Sequence, residues 1–234
     1  MIKVEHIETY GFEAAIRGMR NPMNSWEKSD SFECGDISGY GECINYVHGD
    51  CPRCLNAPNT YCVGSNDLDL MQRLFKAGTE HRKFMRQIFI SMDITSNHTF
   101  WAEFDTYKVG VTRNSCSKMH KIHVKEFVPE DFSREGIEEV GGRTKEVFLS
   151  VVEELERLRK LFNQTHEKRY WRAIIELLPM GYNLKATITM TYENAASMIK
   201  QRSGHKLDEW REFVETLKRL PYIAQIVGGC TAEM

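Results

Sequence analysis

The stretch that decides the fold runs from Ala77 to His123, AGTEHRKFMRQIFISMDITSNHTFWAEFDTYKVGVTRNSCSKMHKIH. At its centre Ile88, Ile90, Met92 and Ile94 alternate with Phe89, Ser91 and Asp93. A period of two puts the first set on one face of a β-strand, and that face is strongly apolar. A polar turn, Glu80-His81-Arg82-Lys83, precedes the strand. An aromatic run, Phe100 to Phe104, follows and reads as the packed end of the strand. The polar loop Thr112 to Lys118 comes next.

Working outward, Ile2 to Ile7 reads as an opening strand, and Phe12 to Arg20 as a short helix stopped by Asn21-Pro22. Leu68, Met71, Leu74 and Phe75 share a helical face over residues 66–75, with Asn66 or Asp67 available as a cap. Val147, Val151, Leu155, Leu158 and Phe162 recur every three to four residues and predict a long helix over about 144–168, entered through the Gly141-Gly142 junction. Residues 186–192 fit a strand or an early helical turn. Leu207, Trp210, Phe213, Val214 and Leu217 mark a last amphipathic helix ending before Pro221. Strands and helices interleave, so the expected class is α/β (α+β), a mixed sheet flanked by helices. At 234 residues and 41% hydrophobic content the chain can bury a core, and one domain over 1–234 is expected. Residues 24–66 break the pattern: rich in Gly, Ser, Asn, Asp and Cys, they read as an ordered loop carrying a Cys-rich insertion at about 31–64.

A formal charge of −2 argues against a general nucleic-acid or membrane surface, which needs a basic excess. Neither an 18-residue apolar run nor a cleavable leader is visible, which leads to the expectation of a cytoplasmic protein. Seven cysteines, an odd number, fit a reducing compartment better than a disulfide framework.

Three groups of residues carry candidate chemistry. His81, Arg82 and Lys83 can direct hydrogen-bond donors and charge into one cleft and so suit a phosphate or diphosphate, the alternative being a solvated basic turn. In the loop after Gly110, Thr112, Asn114, Ser115 and Ser117 interleave with Arg113 and Lys118, as phosphate recognition requires, the alternative being a solvated basic loop. Cys116 lies among these cations, which would favour a thiolate, but a small buried thiol is the preferred reading. The third group is Cys43, Cys51, Cys54 and Cys62, spaced C-x7-C-x2-C-x7-C with Cys34 and His48 nearby. A C-x2-C knuckle can aim two thiolates at one Zn2+, and four thiolates would close a structural zinc site; free thiols are the alternative.

In order and spacing, these segments together with residues 176–210, ELLPMGYNLKATITMTYENAASMIKQRSGHKLDEW, resemble the flavin-dependent thymidylate synthases. Leu177-Leu178-Pro179 matches that family's Leu-Pro signature. Residues 103–108 fall on its Gln-x-x-Arg-His-Arg loop, with Glu103 at the Gln, Thr106 at the first Arg, Tyr107 at the His and Lys108 at the last Arg. The loop Thr112 to Lys118 falls on its Ser-x-Asn-Glu-x-Ser-x-Arg run, with Ser115 at the Glu. The resemblance implies a homotetramer with FAD between subunits, NADPH as reductant, methylene-tetrahydrofolate as carbon donor and reductive methylation of dUMP to dTMP. Under it His81, Arg82, Lys83, Tyr107, Lys108, Thr191, Asn194 and His205 bind flavin. Glu103, Asn114, Ser115, Ser117, Lys118 and Arg202 hold the nucleotide, and Arg202, at the end of a helix over 192–202, stabilises the pyrimidine enolate. Read alone, Arg202 is a cation complementing a helix C-terminus. The altered Arg-His-Arg loop admits two alternatives: a related flavin enzyme for another pyrimidine nucleotide, and a zinc-stapled nucleotide-binding protein without chemistry.

Overall fold

A computed structural model describes residues 2–34 and 60–228. In chain order the named elements are β1 (Lys3–Tyr10), α1 (Phe12–Arg20), β2 (Phe32–Cys34), β3 (Thr60–Cys62), α2 (Ser65–Lys76), β4 (Phe89–Asn97), α3 (His98–Phe104), β5 (Thr112–Ser115), α4 (Lys118–Lys121), α5 (Glu135–Val140), α6 (Gly142–Thr165), α7 (Lys168–Leu177), β6 (Asn183–Thr191), α8 (Tyr192–Arg202), α9 (Asp208–Lys218) and α10 (Ile223–Gly228). A four-stranded sheet has the order β1-β4-β6-β5, and β2 and β3 form a separate antiparallel pair. The expected α+β class holds.

The chain forms two compact units that share these elements in sequence. One comprises Met1–Ile7, Ser91–Thr189 and Gln201–Val214; the other comprises Glu8–Ile90, Met190–Lys200 and Glu215–Met234.

In the first unit β4 keeps its predicted alternation, with Met92 and Ile94 buried between half-buried Ser91, Asp93 and Thr95. The stretch read over residues 186–192 is strand up to Thr191, and Tyr192 opens α8: Leu184, Ala186 and Ile188 are buried on one side of β6, and Thr187↔Asn114 and Ile188↔Arg113 register it antiparallel to β5. The loop read over Thr112–Ser115 is therefore an edge strand. The aromatic run is a helix rather than a strand end, because the Asn97 side chain accepts the Phe100 amide hydrogen (2.9 Å) and caps α3. Helical spacing then gathers Phe100, Trp101 and Phe104 with Trp210 and Phe213 of α9. The long predicted helix ends at Thr165, where His166 takes a left-handed conformation (φ 57°), and an unforeseen helix, α7, follows. Phe148, Val152, Leu155 and Leu158 of α6 bury against Ile174 of α7, Phe127, Phe132 and Tyr182.

In the second unit Phe12 meets Tyr192 and Tyr222 edge-on, with centroids 5.5 and 5.8 Å apart. Gly11 (φ 91°) is required here, since a Cβ would lie 2.2 Å from the Gln87 carbonyl oxygen. The cap expected of Asn66 or Asp67 comes instead from Asp30, whose carboxylate accepts the backbone N–H groups of Asn66 (2.9 Å) and Asp67 (3.1 Å). That frees the fully buried Asp67 side chain to accept from Arg20 Nε (2.6 Å), Ser29 Oγ (2.7 Å), Ser31 Oγ (2.6 Å) and the Asp30 amide (3.2 Å).

Candidate functional site

The first unit brings together four of the predicted site residues that lie far apart in sequence. Helix α3 carries Glu103 and runs into the turn holding Tyr107, while α8 ends at Arg202 and is followed by His205. Arg202 Nη1 donates to Glu103 Oε2 (2.7 Å), and Arg202 Nε donates to the Tyr107 hydroxyl (3.0 Å). Tyr107 in turn donates to Gln201 Oε1 (2.9 Å), and His205 Nε2 lies 3.0 Å from Glu103 Oε2. The guanidinium sits over the Trp210 ring, 4.8 Å from its centroid. Arg202 is therefore gripped from three sides. Trp210 and Gln201 escaped the sequence reading: Trp210 counted only as an apolar helix position, and Gln201 carried no motif.

A second cluster in this unit contains the predicted phosphate loop. Ser117 accepts the His120 amide hydrogen (3.2 Å) and so caps the short α4. Asn114 and Ser115 are exposed on β5, and Cys116 is an exposed free thiol, not the buried one expected. Arg113 pairs with Asp105 (2.7 Å) and lies 4.5 Å from the Trp101 centroid. Lys118 Nζ lies 3.1 Å from both ring nitrogens of His98, a residue that no motif had picked out. Burial first, then Arg113, pulls the Lys118 ammonium below its ordinary range; burial, then Lys118 and Arg113, does the same to His98. Lys108 is exposed and joins neither cluster.

The second unit holds the basic turn. Arg82 and Arg86 lie in a 3-10 turn over Arg82–Arg86, and both donate to the Glu193 carboxylate; the Arg82 Nε to Oε1 distance is 3.3 Å. Hydrogen bonding from Arg86, ahead of burial, which opposes it, and of Arg82, holds that carboxyl below its usual range. Arg82 also sits over Phe75, 5.2 Å from its centroid. His81 and Lys83 are exposed. Thr191 and Asn194 bind each other: the Thr191 hydroxyl donates to Asn194 Oδ1 (2.7 Å), and the Asn194 amide donates to Thr191 Oγ1 (3.3 Å). They close the first turn of α8 as a reciprocal cap.

Of the four proposed zinc ligands, Cys43, Cys51 and Cys54 lie outside the described residues. Cys62, at the end of β3, is disulfide-bonded, and a disulfide sulfur is not the thiolate that zinc requires. Among the described residues no His, Cys, Asp and Glu group has the makings of a metal site, and no helix is long and apolar enough to cross a membrane.

The donor chemistry fits a flavin and a pyrimidine nucleotide. The indole Nε1 of Trp210, fully buried beneath Arg202, has no acceptor among the described residues, and Arg202 Nη2 donates to none of them. The half-buried Arg202 guanidinium matches a carbonyl oxygen of a pyrimidine, and the exposed His81 and Lys83 match a diphosphate.

No protein-family model matches this chain, and no curated protein matches it in sequence. Among the solved structures similar in fold are two crystal structures. One is thymidylate synthase X (ThyX) from Helicobacter pylori with FAD and dUMP: TM-score 0.64, 16% identity, covering 97% of this chain and 97% of that one. The other is flavin-dependent thymidylate synthase ThyX from Helicobacter pylori complexed with FAD and dUMP: TM-score 0.63, 15% identity, covering 96% and 97%. Near-complete coverage of both chains at such low identity establishes the fold, and this protein has a ThyX-like α+β fold.

Proposed function

We propose that this protein is a flavin-dependent thymidylate synthase-like enzyme that reductively methylates dUMP to dTMP. The observation that carries the reading is the convergence of Glu103, Tyr107 and Arg202, from motifs on opposite sides of the chain, on one half-buried guanidinium within a ThyX-like fold. Bound FAD would supply the two-electron chemistry, with NADPH as reductant and methylene-tetrahydrofolate as the carbon source. Arg202 would hold the pyrimidine through Nη2 and stabilise the oxyanion that develops on the ring, a charge–charge effect that moves no proton. Glu103 and Tyr107 fix the guanidinium plane before substrate arrives, which removes the entropy cost of ordering a long side chain. His81 and Lys83 would meet the flavin phosphates, and the loop ending at Lys118 the nucleotide phosphate. Assembly as a homotetramer belongs to the same proposal.

Glu103 favours one further reading. A carboxylate only accepts hydrogen bonds, and beside Arg202 it can receive the amino group of a cytosine as readily as Arg202 serves the ring carbonyl. The protein would then act on a different pyrimidine nucleotide.

The absorbance spectrum of protein soaked in FAD should contain a bound-flavin band, and rescue of a thymidine auxotroph should follow. A colourless protein after soaking refutes the flavin reading. A yellow protein that binds dCMP more tightly than dUMP and fails the rescue selects the second.

A further inference from the structure

Arg202 is held by a hydrogen bond whose direction is set one residue earlier in the chain. A guanidinium only donates, so the Tyr107 hydroxyl oxygen must accept from Arg202 Nε (3.0 Å). That leaves the hydroxyl one hydrogen to place, and Gln201 Oε1 takes it at 2.9 Å. The opposite order fails. A Gln201 amide NH2 turned toward Tyr107 would put two donors on one oxygen and leave the hydroxyl hydrogen without this acceptor. Hydrogen bonds therefore run one way, from Arg202 to Tyr107 to Gln201, while a second branch runs from Arg202 Nη1 to Glu103 Oε2 (2.7 Å).

Packing leaves the hydroxyl direction as the open variable. The Tyr107 ring lies beside the fully buried Trp210, centroids 5.9 Å apart, and the Tyr107 backbone amide donates to the Phe104 carbonyl (3.0 Å). Those contacts hold the phenol oxygen, but not the rotation about its C–O bond, and a hydrogen swung toward Arg202 would meet another donor. Gln201 directly precedes Arg202 at the end of α8. The acceptor that orients the hydroxyl and the guanidinium that uses it thus ride on the same turn of helix. Gln201 is itself exposed, so replacing it should cost little stability.

We infer that Gln201 is a positioning residue: by taking the hydrogen of the Tyr107 hydroxyl it turns that oxygen's lone pairs onto Arg202 and holds the guanidinium plane that a ligand meets. In this role Gln201 acts through Tyr107 alone. The hydrogen-bond chain stands on its own geometry, whereas the ligand, a pyrimidine nucleotide, rests on the proposed function.

Two measurements on the full chain test this. The first needs no ligand: hydrogen exchange of the Arg202 Nε–H in isotope-labelled protein, its NMR signal identified by its loss in Arg202→Lys. Gln201→Leu should speed that exchange about fivefold, the worth of one hydrogen bond, with the melting temperature unchanged. Gln201→Glu keeps an acceptor at the same reach and should restore the slow exchange, but only while Tyr107 keeps its hydroxyl. Tyr107→Phe should match Gln201→Leu, and adding Gln201→Leu to it should change nothing more. The second measurement is isothermal titration of flavin-loaded protein with dUMP and with deoxyuridine. Gln201→Leu should weaken both by about fivefold, because the hold on the base is loosened and the phosphate is not involved.

Wild-type exchange at Arg202 in the Gln201→Leu protein overturns the positioning role. So does a further change when Gln201→Leu is added to Tyr107→Phe, since Gln201 would then act without the hydroxyl. Exchange that quickens alike at every slow amide is general loosening and overturns it as well, as does a loss of dUMP affinity that spares deoxyuridine. Faster exchange confined to Arg202, in a protein that binds neither flavin nor nucleotide, upholds the positioning role and refutes the proposed function.

Discussion

Asp67→Ala should be the most damaging single substitution among the polar residues of the second unit. Arg20 is 4% exposed and Asp67 is 0% exposed, so neither charge can fall back on water when its partner goes. The substitution removes a 2.6 Å charged hydrogen bond from Arg20 Nε. It also strands the Ser29 and Ser31 hydroxyls and the Asp30 amide, which all donate to the other carboxylate oxygen. Arg20 keeps its bonds to the Ser25 and Lys28 carbonyls but is left as a buried charge without a counter-ion. Removing one partner of such a pair costs about 3–5 kcal/mol, which for a chain of this size lowers the melting temperature by roughly 10 °C. Arg20→Met removes the orphaned charge, so the double variant should recover part of the loss. A double-mutant cycle by urea denaturation would then give a coupling of at least about 2 kcal/mol. Burial by itself would raise the Asp67 pKa, yet bonds from Ser31, Ser29 and Arg20 outweigh it and the pKa is lowered. The pair's contribution is therefore fully present above the unfolded carboxyl pKa and is lost as pH falls through the lower folded value. A destabilisation under about 1 kcal/mol, with no coupling in the cycle, would refute the reasoning.

Three further outcomes are expected. Arg202→Lys keeps a cation but loses the fork spanning Glu103 and Tyr107, so pyrimidine monophosphate affinity should fall by about tenfold or more in titration calorimetry while Lys108→Ala, an exposed site, changes it little; equal losses in the two variants would place Arg202 outside the base site. Glu156 accepts from Arg159 (2.6 Å) and the Phe127 amide (3.1 Å), and the Arg159 bond leads in pulling its carboxyl down to about 2. Its share of stability, on the order of 2 kcal/mol, should persist above the ordinary carboxyl range and vanish as pH falls toward 2, so acid melts of Glu156→Gln should converge with wild type, and curves that stay parallel would disprove the linkage. If Cys43, Cys51, Cys54 and Cys62 bind zinc when reduced, elemental analysis of protein prepared with a reductant and no chelator should find about one ion per chain; less than a few tenths leaves them as thiols.

The sequence by itself determined the strand at β4 and the helices whose apolar faces repeat, because burial of one face writes a period of 2 or 3.6 into adjacent residues. Resemblance to a known family also named Glu103 and Arg202 as candidates for the nucleotide and Tyr107 and His205 as candidates for the flavin, without placing the four together. Other features depended on partners too distant for any local pattern. Asn97 turned an apparent strand end into a helix by one side-chain bond, and Asp30 capped α2 from more than thirty residues away. β5 became a strand only because β6 offered it a ladder. In the Arg202 cluster the residue types were legible, but the grip of Glu103, Tyr107 and Trp210 was not, since a hydrogen bond depends on ångström distances that spacing along the chain leaves open. His98 stands furthest from legibility: a single histidine at a helix start has no signature, and only folding sets Lys118 against it.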